Sequence, residues 1–170
     1  MTSPRSESNR PHPLTGWKRS VARFPVHLYR VGLGLLFGKR LLLLIHTGRI
    51  SGTAREVVIE VVEHDPREGT WTVASGFGPT AQWYRNLLHT PQATIQVGTR
   101  YHAVTAHSVS AEEGGWIMVR YATAHPHLAK RLCGFMGFTV DGSIEGFRRA
   151  GESIPFVRLQ SGPTSPRHAE

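Results

Sequence analysis

Residues 47–55 hold the clearest set of groups that could bind an anion. The segment reads Thr-Gly-Arg-Ile-Ser-Gly-Thr-Ala-Arg. Arg49 and Ser51 lie between its two glycines, and Arg55 is its last residue. Glycine permits a tight turn and a close approach of a ligand to the backbone. Exposed N–H groups, a hydroxyl and the guanidinium groups then form a cradle for a phosphate. A hairpin turn that merely exposes its arginines is the alternative.

A second segment, the glycine loop (residues 75–78), reads Ser-Gly-Phe-Gly and precedes a proline, so it cannot be regular structure. We expect it to follow a strand and to lead into a helix. Its glycines would let a planar ring lie against bare backbone, whose N–H groups could bind the carbonyl edge of that ring. Trp83 follows on the helix, where its spacing from Leu87 makes core packing the alternative to a ring-supporting role.

Two further side chains are candidate proton donors. Alternation along the strand predicted at 55–64 places Glu60 on one face with Val58 and Val62, and the opposite face is also apolar. A carboxyl group in an apolar wall is favoured in its protonated form and could donate a proton. Pairing of Glu60 with an arginine, or a place at a solvated barrel mouth, is the alternative. Tyr121 could reach a pocket mouth and donate a proton, or it could simply pack.

The composition excludes several classes of site. The 170-residue chain has 20 Lys and Arg against 12 Asp and Glu, a formal net charge of +8. Its basic residues form no run longer than two and no nucleic-acid-binding motif is present, so a small polyanionic ligand explains the charge better than a nucleic acid. Cys133 is the single cysteine, which excludes an internal disulfide. The ten histidines form no helical metal-binding pair, so no metal site is predicted.

Short apolar and β-branched runs, separated by turn residues, must position these groups. We expect strands paired in hairpins, with one helix that begins at a capping box at Ser110 and another that stops at Gly151. No long alternation of strands and helices is present, which argues against a parallel Rossmann sheet. The predicted fold is therefore mainly β with flanking helices, a six-stranded antiparallel barrel. The predicted strands are 41–47, 55–64, 70–75, 94–97, 101–108 and 154–159, and the predicted helices are 80–88, 110–121, 127–132 and 143–150.

The chain divides into one domain and two tails. Residues 1–16 and 161–170 are polar and contain proline, and we expect both to be disordered. Residues 17–160 form a single domain that starts with a helix at 17–37. The apolar stretch 31–45 is interrupted by two basic residues and is too short to span a bilayer, which needs about 20 apolar residues. A cytoplasmic protein is predicted, and weak association with a membrane surface through 17–37 stays open.

Several motifs occur together in a fixed order between residues 41 and 159. They are Thr-Gly-Arg-x-Ser-Gly-x-x-Arg, a hairpin, Ala-Ser-Gly-Phe-Gly, then Trp-Tyr-Arg-Asn-Leu and Thr-Pro-x-Ala-Thr-Ile-Gln-Val. This order resembles the deazaflavin-dependent nitroreductase family, whose members are actinobacterial proteins that bind coenzyme F420. The resemblance implies a split β-barrel, and a reaction in which reduced F420 donates a hydride to a quinone, a nitroaromatic or an activated alkene.

Carried onto this chain, the resemblance assigns residues to two parts of a cofactor site. It implies that the segment around Arg49 binds the phosphate and acidic tail, and that the glycine loop binds the deazaflavin ring. The family pattern has a lysine where this chain has Ile50, which removes one positive charge, and a tyrosine facing the cofactor where this chain has Glu60. The implied cofactor-binding residues are Arg49, Ile50, Ser51, Arg55, Ser75, Gly76, Phe77, Gly78, Trp83 and Asn86, and the candidate catalytic residues are Glu60 and Tyr121.

Three functions remain open from the sequence. The first is a reductase that transfers a hydride from reduced F420 to a small-molecule substrate. The second keeps the barrel but binds FMN and acts as an oxidoreductase. The third is a non-catalytic protein that binds the cofactor or docks at a membrane surface. The sequence does not distinguish a monomer from a homodimer.

Overall fold

The computed structural model describes residues 40–162 of the chain. The tail expected at 1–16, the helix expected at 17–37 and residues 163–170 lie outside the described residues. The division into one domain with two tails therefore stays a prediction. Between residues 40 and 162, no helix is long and apolar enough to cross a membrane.

Six antiparallel strands of the described chain form a closed barrel in the order β1-β2-β3-β6-β5-β4, which confirms the predicted fold. β1 and β4 close the barrel, with Leu44 of β1 opposite Ile95 of β4. Alternate side chains point inward, so both residues lie in an aliphatic core and are 0% exposed. The strands are β1 (Leu41–Thr47), β2 (Ala54–Asp65), β3 (Thr70–Ala74), β4 (Gln92–Val97), β5 (Arg100–Ser108) and β6 (Phe156–Ser161).

Four helices of the described chain flank this barrel. They are α1 (Gln82–His89), α2 (Ala111–Ala124), α3 (Pro126–Phe135) and α4 (Ile144–Ser153). The capping box is confirmed, because Ser110 Oγ accepts a hydrogen bond from the Glu113 N–H at 3.2 Å. Helices α2, α3 and α4 form a second apolar cluster with Ala74 and Phe156 at the ends of two strands. This cluster borders the glycine loop, which directly follows Ala74.

Gly151 does not end a helix, so that prediction is wrong. It is buried inside α4, where this helix crosses α2. A Cβ on Gly151 would lie 2.5 Å from the carbonyl oxygen of Gly114 and 2.8 Å from Cα of Gly115. The missing side chain therefore lets the two helices touch backbone to backbone, a tertiary constraint that a local stop signal does not reveal.

The last strand is shifted from its predicted bounds of 154–159. It begins at Phe156, because the preceding Pro155 has no N–H to donate to a ladder. It extends to Ser161, whose N–H donates to the carbonyl oxygen of Gly69 at 2.9 Å. The residue at which the C-terminal tail was expected to begin thus belongs to the sheet.

One end of the barrel collects the segments singled out from the sequence. Thr47, the last residue of β1, pairs with Ala54, the first of β2. Because β1 and β3 both run antiparallel to β2, they end on the same side of the barrel. The β1–β2 turn (residues 48–53) and the glycine loop therefore lie at one end, and α1 follows the loop there.

Candidate functional site

The β1–β2 turn is closed by its own backbone. The Gly48 N–H donates to the carbonyl oxygen of Thr53 at 2.8 Å, and the Gly52 N–H donates to that of Gly48 at 2.7 Å. Gly52 has a φ of +66°, a conformation that residues with a Cβ rarely adopt. Ile50 lies at the tip with 89% of its surface exposed. The turn has a defined shape, and Ile50 adds no charge and little packing to it.

Arg49 is tied to helix α1. Its Nη1 donates to Gln82 Oε1 at 2.9 Å and to Asn86 Oδ1 at 3.0 Å. Its backbone N–H donates to the same Asn86 oxygen at 3.1 Å. These hydrogen bonds hold the side chain in one direction. The other guanidinium nitrogens have no acceptor among residues 40–162, so their N–H groups can bind an anion.

Arg55 and Ser51 lie on the same turn but are held more loosely. Ser51 Oγ is 2.8 Å from Thr53 Oγ1, and Arg55 Nη2 is 3.5 Å from Ser51 Oγ, a long contact. Both side chains are exposed. The structure thus brings the predicted cradle residues together, with one fixed arginine and one free to move.

The glycine loop offers fewer free donors than the sequence suggested. Ser75 Oγ donates to the Gly78 carbonyl at 2.6 Å, the Gly78 N–H donates to the Ser75 carbonyl at 2.9 Å, and the Ser75 N–H donates to the Pro155 carbonyl at 2.8 Å. Within the described chain, the N–H groups of Gly76 and Phe77 have no acceptor. Those two groups are the donors that the loop can offer to a ligand.

Phe135, which the sequence reasoning missed, lies over this loop. A Cβ on Gly76 would be 3.1 Å from Phe135 Cε1, so the backbone there faces an aromatic ring and is not bare. Phe77 and Phe135 meet edge to face, with ring centroids 5.8 Å apart. Phe135 is nevertheless 58% exposed. Its position depends on how α3 packs, which no local motif reports.

Trp83 and Asn86 have different surroundings on α1. Trp83 is 9% exposed and packs with Leu87 into the barrel core, which is the packing alternative given for it above. Asn86 is 5% exposed, and its amide links the helix to Arg49. Trp83 therefore packs α1 against the barrel core, and Asn86 forms part of the polar network at the β1–β2 turn.

Glu60 is not enclosed in an apolar wall, so that expectation is wrong. Its side chain is 33% exposed, and its Oε1 lies 3.5 Å from Arg40 Nη2. Tyr121 Oη donates to the same oxygen at 2.6 Å. The alternative of an arginine-paired Glu60 therefore describes its surroundings, with the tyrosine as an added partner.

Tyr121 is 4% exposed and does not open onto a pocket mouth. Burial first, and then the hydrogen bond to the Glu60 carboxylate, raise the pKa of Tyr121 to about 12. Its ring belongs to the same packed cluster as Met136. The methyl carbon of Met136 lies 3.9 Å from where a Cβ on Gly76 would be. Tyr121 and the glycine loop therefore border the same packed cluster.

His46 is a buried polar residue of the site that the sequence analysis did not single out. It is 5% exposed at the end of β1, and its Nδ1 lies 3.2 Å from Asn86 Nδ2. Burial, and then the Arg55 guanidinium beside it, lower the pKa of His46 to about 4. The sequence signal for this residue is a histidine within an otherwise apolar strand, in a position that pairs with an arginine.

Metal and thiol chemistry have no support in the described chain. Residues 40–162 contain no group of three or more His, Cys, Asp or Glu side chains that could hold a metal ion. Cys133 is buried, and burial raises the pKa of its thiol to about 11. A group that stays protonated and enclosed is a poor nucleophile.

A model of the F420H(2)-dependent quinone reductase family matches residues 17–132, more than half of the chain. The chain belongs to this family. The assignment confirms the resemblance read from the motifs, the class of enzyme and F420 as the cofactor. No curated protein matches the chain.

Solved structures share the fold of this quinone reductase family member. The F420-H2 dependent reductase FDR-A is 20% identical with a TM-score of 0.50, covering 72% of this chain and 96% of that one. Rv2991 of Mycobacterium tuberculosis is 13% identical with a TM-score of 0.51, covering 79% and 80%. An FMN-binding protein of Nostoc punctiforme is 13% identical with a TM-score of 0.50, covering 87% and 81%. At these identities the likeness establishes the split β-barrel alone.

The donors present fit the chemistry of F420. The cofactor has an anionic phosphate-bearing tail and a planar ring with a carbonyl edge. The β1–β2 turn offers two guanidinium groups and a hydroxyl, from Arg49, Arg55 and Ser51. The unpartnered N–H groups of Gly76 and Phe77 lie at the same end of the barrel. Each half of the cofactor therefore has a matching donor set.

Proposed function

We propose that this family member reduces flat, activated acceptors, namely quinones, nitroaromatics or enones, with F420H2 bound across one end of the barrel. One observation carries the proposal. An arginine that α1 holds in place and a loop with two unpartnered N–H groups lie at the same barrel end. An anionic tail and a planar ring need these two kinds of donor side by side.

The β1–β2 turn grips the anionic end of the cofactor. Arg49 is oriented by Gln82 and Asn86 before any ligand arrives, so little side-chain freedom is lost on binding. Arg55 and Ser51 are exposed on the same turn and would add a guanidinium group and a hydroxyl to the phosphate site. Because Ile50 carries no charge, the grip on the acidic tail depends on the two arginines.

The glycine loop binds the edge of the ring. The N–H groups of Gly76 and Phe77 would hold its carbonyl oxygens, and the aromatic pair of Phe77 and Phe135 would contact an acceptor stacked on the ring. When bound, the reduced cofactor supplies a hydride, because its reactive ring position is a carbon that transfers an electron pair.

Glu60 delivers the proton in this proposal, and Tyr121 holds the Glu60 carboxyl group in place. A quinone or enone that accepts a hydride becomes an oxyanion and must then be protonated. Since the pKa of Tyr121 is raised to about 12, its Oη keeps its proton at neutral pH and shares it with Glu60 Oε1. Glu60 is partly exposed, so a proton taken from solvent can pass through its carboxyl group to the oxyanion, while Tyr121, fixed within the helical cluster, orients that carboxyl group.

Anaerobic turnover tests this function. Purified protein is mixed with F420H2 and, separately, a quinone, a nitroaromatic and an enone, and the return of the oxidised cofactor is followed by absorbance. We expect turnover with at least the quinone, and the same rate for Arg67→Ala, which removes one charge from the exposed hairpin at the opposite end. Binding of the cofactor without turnover of any acceptor would contradict the proposal and favour a non-catalytic cofactor-binding protein.

A further inference from the structure

Two side chains, His46 and Asn86, link the barrel interior to Arg49 through a series of hydrogen bonds. His46 Nδ1 lies 3.2 Å from Asn86 Nδ2. Asn86 Oδ1 accepts from the Arg49 N–H at 3.1 Å and from Arg49 Nη1 at 3.0 Å. The Asn86 amide is thus held from both sides, by a ring nitrogen inside the barrel and by the arginine outside.

The direction of these hydrogen bonds determines the state of His46. Because two Arg49 donors meet one Asn86 oxygen, that atom must be the carbonyl oxygen, and the amide nitrogen must face the histidine. The amide nitrogen can only donate. His46 Nδ1 must therefore be an unprotonated acceptor, with the ring proton on Nε2.

The surroundings keep His46 neutral. It is 5% exposed and lies on the same face of β1 as the core residue Leu44. The charged group facing it from β2 is its register partner Arg55, and α1 contributes the uncharged amide of Asn86. The register of β4 against β1 ends at Ile45, so β4 places no pairing residue opposite His46. Burial and a neighbouring cation both oppose a second ring proton.

We propose that His46 is a positioning residue for the anionic end of the cofactor, acting through Asn86 to hold the Arg49 guanidinium in its binding direction. This rests on the proposed cofactor site at the β1–β2 turn. Without an acceptor at position 46, the Asn86 amide nitrogen is left buried and unpaired, at 5% exposure of the residue. The amide then turns to find another partner, and Arg49 loses the oxygen that orients it.

Two substitutions separate positioning from packing. His46→Leu keeps an apolar side chain of similar bulk but removes the acceptor, and His46→Asn restores an oxygen near the position of Nδ1. Affinities are measured by fluorescence titration with F420 and with its deazariboflavin headgroup, which lacks the phosphate. Arg49→Ala and Arg67→Ala serve as the site and charge controls.

We expect His46→Leu to raise the Kd for F420 roughly three- to tenfold, the effect of one lost hydrogen bond. The Kd for the headgroup stays unchanged, and His46→Asn recovers most of the affinity for F420. Equal weakening of both ligands by His46→Leu would overturn the inference, since it would indicate a general packing defect. Weak binding of F420 by both His46→Leu and His46→Asn, at unchanged thermal stability, would also overturn the inference.

The controls distinguish this inference from the proposed site. If Arg49→Ala leaves the affinity for F420 unchanged, the cradle itself is wrong and the role of His46 falls with it. If Arg49→Ala weakens F420 binding and His46→Leu does not, only the inference on His46 is wrong. If His46→Leu does not fold, nitrogen NMR of the unaltered protein can locate the ring proton of His46 and so test the inference. A ring proton on Nε2 is expected, and a ring proton on Nδ1 overturns the inference.

Discussion

Replacing Arg49 by alanine should weaken F420 binding more than replacing Arg55. Arg49 is fixed in direction by Gln82 and Asn86, whereas Arg55 is exposed and touches Ser51 Oγ only at 3.5 Å. A hydrogen bond to a charged partner contributes about 1.5–3 kcal/mol, so we expect Arg49→Ala to raise the Kd roughly 10- to 100-fold. Exposed charge pairs contribute about 0.2–1 kcal/mol, so Arg55→Ala should raise it only about two- to fivefold.

Fluorescence titration with F420 at low and high salt measures both effects. The Arg55 contribution should shrink in high salt because that side chain is exposed, and the Arg49 contribution should persist. Arg67→Ala, which makes the same change in net charge at the far hairpin, should match the unaltered protein. An Arg55→Ala variant that binds more weakly than Arg49→Ala would refute the reasoning that a prearranged arginine carries more of the affinity.

Three further outcomes are expected. Glu60→Gln should slow single-turnover quinone reduction about 10²–10⁴-fold with little change in cofactor Kd, and a variant that is destabilised but fully active would end the catalytic role. Phe135→Ala should raise the KM for a flat quinone about two- to tenfold through the lost aromatic contact, and an unchanged KM in steady-state kinetics would remove Phe135 from the acceptor site. Gly151→Ala should cost about 1–3 kcal/mol of unfolding free energy by overpacking, because its Cβ would lie 2.5 Å from the Gly114 carbonyl oxygen. Gly134→Ala, with nothing within 4 Å of the added Cβ, is the control in the same thermal melt.

Local sequence patterns predict the strands of the barrel, but they do not predict contacts between elements that are distant in the chain. Apolar and β-branched runs bounded by turn residues predict all six strands, because each strand is defined by its own composition and flanking turns. Gly151 carries the same local signal as a helix stop, yet its role depends on the backbone of α2. The start of β6 follows from Pro155, a local cause that the apolar run obscured.

The candidate site shows the same division. The spacing of Arg49, Ser51 and Arg55 is a property of one turn and could be read directly. The hydrogen bonds of Arg49 to Gln82 and Asn86 of α1 could not be predicted, because they join the turn to a helix more than 30 residues away in the chain. The position of Phe135 over Gly76 could not be predicted, because it joins segments far apart in the chain. An arginine partner for Glu60 was one of the alternatives from the sequence, but the sequence did not identify that arginine as Arg40.

The central claim is that F420 is held by its anionic tail at the β1–β2 turn and by its ring at the glycine loop. One titration series tests it directly, with F420, its phosphate-free headgroup and FMN as ligands. We predict that F420 binds roughly 10- to 100-fold more tightly than the headgroup, and more tightly than FMN. In the Arg49→Ala Arg55→Ala double variant this difference between F420 and the headgroup should disappear. Equal affinities for F420 and the headgroup in the unaltered protein, or tighter binding of FMN, would contradict the claim.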